Sequence, residues 1–174
     1  FLLLTKQQDT MKTQPHFSFT GLFWLVCFSL TAQDDKSAIK AVIEKETLSF
    51  HKVDHKGWKD SWLQVPYAYW SYSDSTGTSF VEGWEAIDKT FDTYFKTQVA
   101  GRQIDVARQG ESLTIERAWK EIRIYNNGAF VQYIQKVNDK LINRDETSQI
   151  RILEKKDGKW RIVYVGIIAK YPAE

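Results

Sequence analysis

The chain has 174 residues, of which 43% are hydrophobic, 14% aromatic and 26% charged. This composition is typical of one globular domain with enough apolar material for a core. The formal net charge is only +2, and basic residues form no block longer than short pairs such as Lys155-Lys156. A nucleic acid is therefore not expected as a partner.

The first part of the chain has the pattern of a secretory signal peptide preceded by extra residues. Residues 1–10 come before Met11, the first methionine, and are interpreted as upstream sequence read through in frame. Residues 11–33 then combine a basic start, an apolar run at 17–30 and a short polar region. This run is shorter than the roughly 20 apolar residues that cross a bilayer, which favours a cleaved signal over a membrane anchor.

Cleavage near Gln33 would give an exported protein, periplasmic or extracellular in a bacterium. After cleavage, no membrane association is expected. Cys27 is the only cysteine and lies in the part that cleavage removes. The exported protein could therefore form no disulfide. Residues 34–174 are predicted to form a single domain.

Two helices are predicted at the start of this domain. In the first, from Lys36 to Lys52, apolar residues recur at helical spacing, and the two aspartates in front of it can cap its start. Asp54 can cap a second, short helix that extends to Leu63. That helix would place Trp58 and Trp62 one turn apart on the same side.

A strand and a third helix are predicted next. Residues 66–73 alternate as a strand does and end in a polar loop at 74–78. The stretch 100–117 could be strand or loop. Residues 82–98 have a helical pattern whose apolar side consists of Trp84, Ile87, Phe91, Tyr94 and Phe95.

Two hairpins are predicted in the last third of the chain. Asn127-Gly128 and Asp157-Gly158 each separate two β-rich runs, and such dipeptides supply the positive φ angles of a two-residue turn. With Asp157-Gly158 as the turn, Arg151 would lie opposite Tyr164. The order of helices followed by antiparallel strands predicts an α+β fold, in which a curved antiparallel sheet wraps around helices.

Five stretches resemble the SnoaL-like branch of the nuclear transport factor 2-like superfamily: AIKAVIEKETLSF, WKDSWLQVPYAYW, EGWEAIDKTFDTYF, GAFVQYIQ and LEKKDGKWRIVYVG. Together they extend over about residues 38–168. The resemblance implies a cone-shaped α+β roll of the cystatin-like kind, with a bent sheet around a long helix and a deep apolar pocket at its open end. It also implies a homodimer through the outer face of the sheet. These stretches mark the fold rather than an activity.

The sheet face that this resemblance turns inward carries aromatic and polar side chains together. Tyrosine and tryptophan combine a large contact area with one polar atom. An arginine there needs a partner, either Glu46 or another carboxylate or an anionic ligand, because burying it alone is costly. The predicted ligand-binding residues are Trp58, Trp62, Tyr67, Tyr69, Tyr133, Gln135, Arg151 and Tyr164.

No catalytic residue is assigned, and no metal or cofactor is expected. His51 and His55 have a spacing that could place two imidazoles on one helical side, but Asp54 is predicted to break the helix and no third ligand is indicated. The sequence indicates no Asp–His pair for proton transfer. Three carboxylates are predicted on the polar sides of their helices, namely Asp60, Asp88 and Asp92.

Three functions remain open. The preferred one is an exported SnoaL-like domain that binds a small, partly apolar ligand in an aromatic-lined pocket. The second is a pocket enzyme of lyase, isomerase or hydrolase type, and whether the protein is an enzyme stays undecided. The third is a dimeric interaction domain without catalysis, whose cavity its own side chains fill.

Protein recovered from a bacterial envelope fraction is expected to lack Met11 and the apolar run, because the predicted cleavage region at 31–33 follows that run directly. Intact-mass measurement should give a chain that begins near Asp34. A mass that still includes Met11 would contradict the signal assignment.

Overall fold

The computed structural model describes residues 22–105, 114–139 and 142–169. The chain divides into two units, residues 1–34 and residues 35–174. The start of the predicted signal, residues 11–21, lies outside the described part. The described helices and strands are α1 (Leu22–His51), α2 (His55–Asp60), β1 (Tyr69–Asp74), β2 (Gly77–Glu82), α3 (Trp84–Asp105), β3 (Thr114–Tyr125), β4 (Gly128–Asp139), β5 (Ile142–Lys156) and β6 (Lys159–Ala169).

Among the described residues, no helix combines the length and the apolar character that crossing a membrane requires.

The described strands form one sheet in the order β2-β1-β6-β5-β4-β3. Neighbouring strands are antiparallel except for β1 and β6, which are parallel. Strand β6, the last strand of the meander β3–β6, lies next to β1 and runs in the same direction. The predicted α+β class is confirmed, and the sheet is mixed at this one pair.

The core joins all three helices to the inner face of the sheet. The rings of Trp58 and Trp62 lie 5.5 Å apart, on the same side of the chain as predicted. Burial of each large aliphatic side chain contributes about 1.5 to 3 kcal/mol. Buried members of the core include Ile39, Ile43, Trp58, Trp62, Ile87, Phe91, Phe95, Val131, Tyr133, Leu153, Ile162 and Val165.

The predicted start of the first helix is wrong. Helix α1 extends from Leu22 to His51. It is continuous across the predicted start at Lys36 because no proline or glycine between Leu22 and Lys36 interrupts it. Asp35 therefore does not cap a helix but accepts hydrogen bonds from Lys155 Nζ at 2.6 Å and Trp160 Nε1 at 2.8 Å. The bond from Lys155 is the main reason that the pKa of Asp35 lies below its usual range, and it ties α1 to the last hairpin.

The second helix is capped as predicted but is shorter. The Asp54 carboxylate accepts a hydrogen bond from Gly57 N at 2.9 Å. Helix α2 ends at Asp60 instead of Leu63, because Trp62 forms a bridge with Ile162 of β6.

The polar loop predicted at 74–78 is a two-residue turn between β1 and β2. Strand β2 was not predicted, and its last residue, Glu82, is the first residue of the predicted third helix. Gly83, with a φ of +80°, separates β2 from α3, which begins at Trp84. Helix α3 continues to Asp105 and β3 starts at Thr114, so the middle of the undecided stretch 100–117 lies outside the described residues.

The turn of the last hairpin is the predicted one, since Asp157 and Gly158 have φ angles of +52° and +73°. The predicted pairing of Arg151 with Tyr164 is wrong. A register shift between Ile152 and Leu153 places Arg151 opposite Val165 and Tyr164 opposite Ile152. One extra residue in a strand moves the following side chains to the other face, so Tyr164 points outward.

The other hairpin has a different turn from the predicted Asn127-Gly128. Tyr125 pairs with Gly128, so the two asparagines between them form the loop, with Asn126 at a φ of +50°. Asparagine tolerates this region better than most residues.

The two hairpin glycines give a matched test. Gly158→Ala is expected to lower the free energy of unfolding by about 1 to 2 kcal/mol, because a side chain is strained at a φ of +73°. Gly128→Ala is the control, since Gly128 does not have a positive φ and an added Cβ would meet Tyr125 O at an ordinary 3.5 Å. Urea denaturation compares them, and equal losses would contradict these turn assignments.

Candidate functional site

An open pocket of about 520 Å³ lies between the helices and the inner face of the sheet. This volume is in the range of sites for small organic molecules. Its aromatic lining consists of Phe50, Trp58, Trp70, Tyr72 and Phe91, and its other lining residues are Glu46, Thr47, His51, Gln135, Val137, Glu146, Thr147, Gln149, Arg151, Ile167 and Ala169.

The aromatic side of the pocket is held in place by ring contacts. Phe91 lies 4.6 Å from Trp58 and 5.3 Å from Trp70, measured between ring centroids. Phe50 stacks on Tyr94 at 5.1 Å with nearly parallel planes. Such contacts restrain the rings, so they offer a flat apolar surface without much further loss of conformational entropy on binding.

Arg151 is the most buried charged residue of the pocket, with 2% of its surface exposed. Its Nη1 donates hydrogen bonds to Gln149 Oε1 at 2.9 Å and to the Ile150 carbonyl at 3.1 Å. Its Nη2 lies 3.5 Å from Glu46 Oε2. The partner of Arg151 is therefore an internal carboxylate, the first of the alternatives that the sequence left open.

Residues of α1 and α2 hold the Glu46 carboxylate in place. Its Oε1 accepts a hydrogen bond from Trp58 Nε1 at 3.1 Å. Its Oε2 lies 3.3 Å from the Thr47 hydroxyl, which also donates to the Ile43 carbonyl at 2.9 Å. A carboxylate with both oxygens engaged in this way is poorly placed to accept a proton from a substrate.

Two buried polar atoms of the pocket residues have no hydrogen-bond partner among the described residues: Arg151 Nε and Gln135 Oε1. Gln149 Nε2 nearby donates to the Thr147 hydroxyl at 2.6 Å, and that hydroxyl donates to the Gln135 backbone carbonyl at 3.3 Å. Most buried polar groups in proteins are paired. Both atoms are covered by the surrounding protein.

Three of the predicted ligand-binding residues line the pocket: Trp58, Gln135 and Arg151. Tyr133 is fully buried, and its ring centroid lies 5.9 Å from the guanidinium carbon of Arg117 and 5.7 Å from that of Arg151. Burial raises the pKa of the Tyr133 hydroxyl, which stays protonated at neutral pH. Trp62 packs in the core beside Trp58 and does not line the pocket.

The other three predicted residues lie away from the pocket. Tyr67 is 61% exposed, and its hydroxyl donates to Glu154 Oε2 at 2.8 Å. Tyr69 stacks on Tyr164 at 5.6 Å and on the exposed Phe80 at 5.9 Å, on the outer face of the sheet. The inward placement predicted for Tyr164 is wrong because of the register shift in the last hairpin.

Sequence reasoning missed much of the lining. Phe50 and Phe91 could have been found, because they belong to the apolar sides of predicted helices. Ile167 and Ala169 continue the inward alternation of Val165, but only the shifted register reveals it. The further missed residues are Thr47, His51, Tyr72, Val137, Glu146 and Thr147.

The two histidines lie in different places. His51 lines the pocket, whereas His55 packs against α3, with Nε2 3.4 Å from Asp88 Oδ1 and Nδ1 3.7 Å from Asp92 Oδ1. The contact between His55 and Asp88 does not line the pocket. Across the described residues, no three His, Cys, Asp or Glu side chains are grouped so that they could hold a metal ion.

Comparisons with known proteins identify the fold. No family model matches the sequence, and no curated protein is significantly similar to it. Similar solved structures include an NTF2-like protein of unknown function from Silicibacter pomeroyi DSS-3, with a TM-score of 0.55 and 11% identity over 80% of this chain and 98% of that chain.

Two further structures have comparable similarity. One is a domain of unknown function with a cystatin-like fold from Nostoc punctiforme PCC 73102, with a TM-score of 0.52 and 15% identity over 80% of this chain and 79% of that chain. The other is a putative calcium/calmodulin-dependent protein kinase type II association domain from Thiobacillus denitrificans, with a TM-score of 0.55 and 9% identity over 76% of this chain and 94% of that chain. The chain therefore has the nuclear transport factor 2-like fold that its motifs implied.

Arg151→Met is expected to lower the free energy of unfolding by about 3 to 5 kcal/mol, because it leaves the Glu46 charge buried without its cation. The double variant Glu46→Gln/Arg151→Met should recover most of this loss, since the glutamine still accepts the bond from Trp58. Arg123→Met, at an exposed ion pair with Glu121, is the control and should leave stability unchanged. Chemical denaturation measures all three, and a neutral Arg151→Met would show that the pair is not buried.

Proposed function

We propose that residues 35–174 form a small-molecule-binding domain of the nuclear transport factor 2-like fold, with a partly apolar ligand in the pocket. The observation that carries this proposal is an open pocket of about 520 Å³ whose lining combines a restrained aromatic wall with the polar side chains of Gln135 and Arg151. Apolar pockets with a few convergent polar groups are typical of ligand sites.

The chemistry of the pocket favours binding over catalysis. Glu46, its most buried carboxylate, is engaged by Trp58 and Arg151. The Asp–His pair formed by His55 and Asp88 does not line the pocket. An open volume of about 520 Å³ also argues against a cavity filled by its own side chains.

A bulky residue in the pocket should abolish binding. Ile167→Trp is expected to narrow the pocket and obstruct a bound ligand, whereas Ile168→Trp changes the neighbouring residue, which is 45% exposed and does not line the pocket. Titration of the purified chain with 2-naphthol, followed by calorimetry, should show binding to the wild type and to Ile168→Trp only. Equal binding by both variants would place the ligand elsewhere.

We also propose that the protein forms a homodimer through the outer face of the sheet. Supporting this, an apolar row crosses neighbouring strands there, because Phe130 pairs with Ile152 and Ile152 pairs with Tyr164. Tyr125 and Phe80 on the same sheet are 61% and 58% exposed. Exposed apolar patches of this kind commonly mark interfaces. The Thiobacillus denitrificans protein with a similar structure is a putative kinase association domain.

Ile152→Lys should shift the dimer towards monomer, because it places a charge in the middle of this apolar row. Leu48→Lys on α1 is the matched control, since Leu48 is 41% and Ile152 is 40% exposed. Sedimentation velocity at high micromolar concentration separates the cases. A wild-type monomer, or equal dissociation of both variants, would count against this interface.

Export is the third part of the proposal. It is supported by the apolar run at 17–30 and the polar region that follows it. The protein would then bind its ligand in the periplasm or outside the cell.

A further inference from the structure

A second open groove, of about 920 Å³, lies between α1, the end of α2 and the turn of the last hairpin. It shares no lining residue with the pocket described above. On its α1 wall, Ala38, Ala41 and Val42 follow one another at helical spacing, and Lys45 lies one turn further on. Both alanines are exposed, so this wall offers a strip of small apolar side chains.

The basic side chains of this groove outnumber its acidic ones. Its charged lining residues are Lys45, Lys156, Lys159 and Arg161, and Asp35, Asp60 and Asp157. Two of the acids are already paired, because Asp35 accepts a hydrogen bond from Lys155 and Asp60 accepts one from Lys56, each at 2.6 Å. With these two lysines, six basic side chains surround three acidic ones. This excess of three positive charges belongs to a chain whose formal net charge is +2, so the positive charge is concentrated here.

None of the four lining cations forms an ion pair with another described residue. Glu154 lies opposite Arg161 in the hairpin, but its carboxylate accepts a hydrogen bond from Tyr67. Lys156 and Lys159 lie directly opposite each other, and like charges in that arrangement destabilise a hairpin. A bound anion would relieve this repulsion.

Cations from two walls of the groove act on the same region. The pKa of Asp60 lies below its usual range mainly because Lys56 donates a hydrogen bond to it, and the charges of Lys45 and Arg161 lower it further. Lys45 belongs to α1 and Arg161 to β6. A cleft lined by one sign of charge raises the local concentration of oppositely charged partners and speeds their association.

The placement of the four cations favours an extended partner over a single small anion. Lys45 is on the helical wall, whereas the other three lie on the hairpin, so the charges line two walls instead of surrounding one point. A peptide with several acidic residues can pair with both walls, and its apolar side chains can pack on the alanine strip of α1. The backbones of polyphosphate and nucleic acids have no apolar group for this strip.

We propose that the groove between α1 and the last hairpin binds an acidic, partly apolar peptide segment of another protein. Its carboxylates pair with the four lining cations, and its apolar side chains lie on Ala38 and Ala41. This inference goes beyond the ligand proposed for the pocket and does not depend on it, since the two sites share no lining residue.

Titration with a pair of synthetic peptides tests the inference. In the first peptide, pairs of glutamates alternate with single leucines, and in the second each glutamate is replaced by glutamine. Calorimetry with the purified chain should show that the glutamate peptide binds about tenfold or more tightly than the glutamine peptide. Raising the salt concentration should reduce this difference, because salt screens exposed charges.

Two variants of equal net charge locate the site. Lys156→Glu/Lys159→Glu should weaken the binding of the glutamate peptide by about tenfold or more, because it reverses the charge at the turn. Lys89→Glu/Lys120→Glu is the matched control, since both lysines are exposed and lie outside the groove. This control and the pocket variant Ile167→Trp should bind the peptide as the wild type does.

Asp60→Asn gives a second readout if the double variant at the turn does not fold. It removes an anion from the groove and should tighten the binding of the glutamate peptide by about threefold. Asp92→Asn is its control. Like Asp60, Asp92 pairs at 2.6 Å with a lysine four residues away, but it does not line the groove and should leave the affinity unchanged.

Several results would overturn the inference. Equal binding of the two peptides would show that the groove does not select acidic residues, and equal losses in the two lysine variants would show that only net charge matters. Inorganic polyphosphate or phosphatidylglycerol vesicles that bound at this groove as tightly as the glutamate peptide would rule out a peptide as its particular partner. Absence of peptide binding would also overturn the inference, whatever the pocket does with 2-naphthol.

Discussion

The pocket depends on the buried ion pair between Glu46 of α1 and Arg151 of β5. Removing both charges from water costs several kcal/mol per ion, which only a well-bonded site can offset. Trp58 of α2 supplies a hydrogen bond to the carboxylate, and Gln149 accepts one from the guanidinium. The pair and its hydrogen bonds thus connect α1 and α2 to β5 of the sheet. They lie beside the open pocket, where the apolar packing of the core ends.

The same network decides what the pocket can do. Arg151 is already paired with Glu46, so the site differs from one in which an unpaired arginine is available to an anion. Its carboxylate is engaged, so the site also differs from one with an available base. What remains is a restrained aromatic surface in a pocket that Gln135, Gln149 and Arg151 also line, which is suited to binding a small, partly apolar molecule.

The register shift in the last hairpin separates two surfaces of the sheet. It keeps Arg151 on the inner face opposite Val165 and turns Tyr164 to the outer face opposite Ile152. Tyr164 then stacks on Tyr69 and extends an apolar row across the outside. One extra residue in β6 therefore contributes both to the polar part of the pocket and to the proposed dimer surface.

The sequence by itself determined the features that depend on neighbouring residues: the turn at Asp157-Gly158, the cap at Asp54, and the apolar sides of the helices. It also showed that Arg151 requires a partner, because no arginine is buried alone. Only the tertiary structure decided that this partner is Glu46, which is distant in sequence. It likewise decided the register shift, the strand β2 and the contact of His55 with Asp88. These depend on how separate elements pack, and spacing along one chain does not encode the distance between elements.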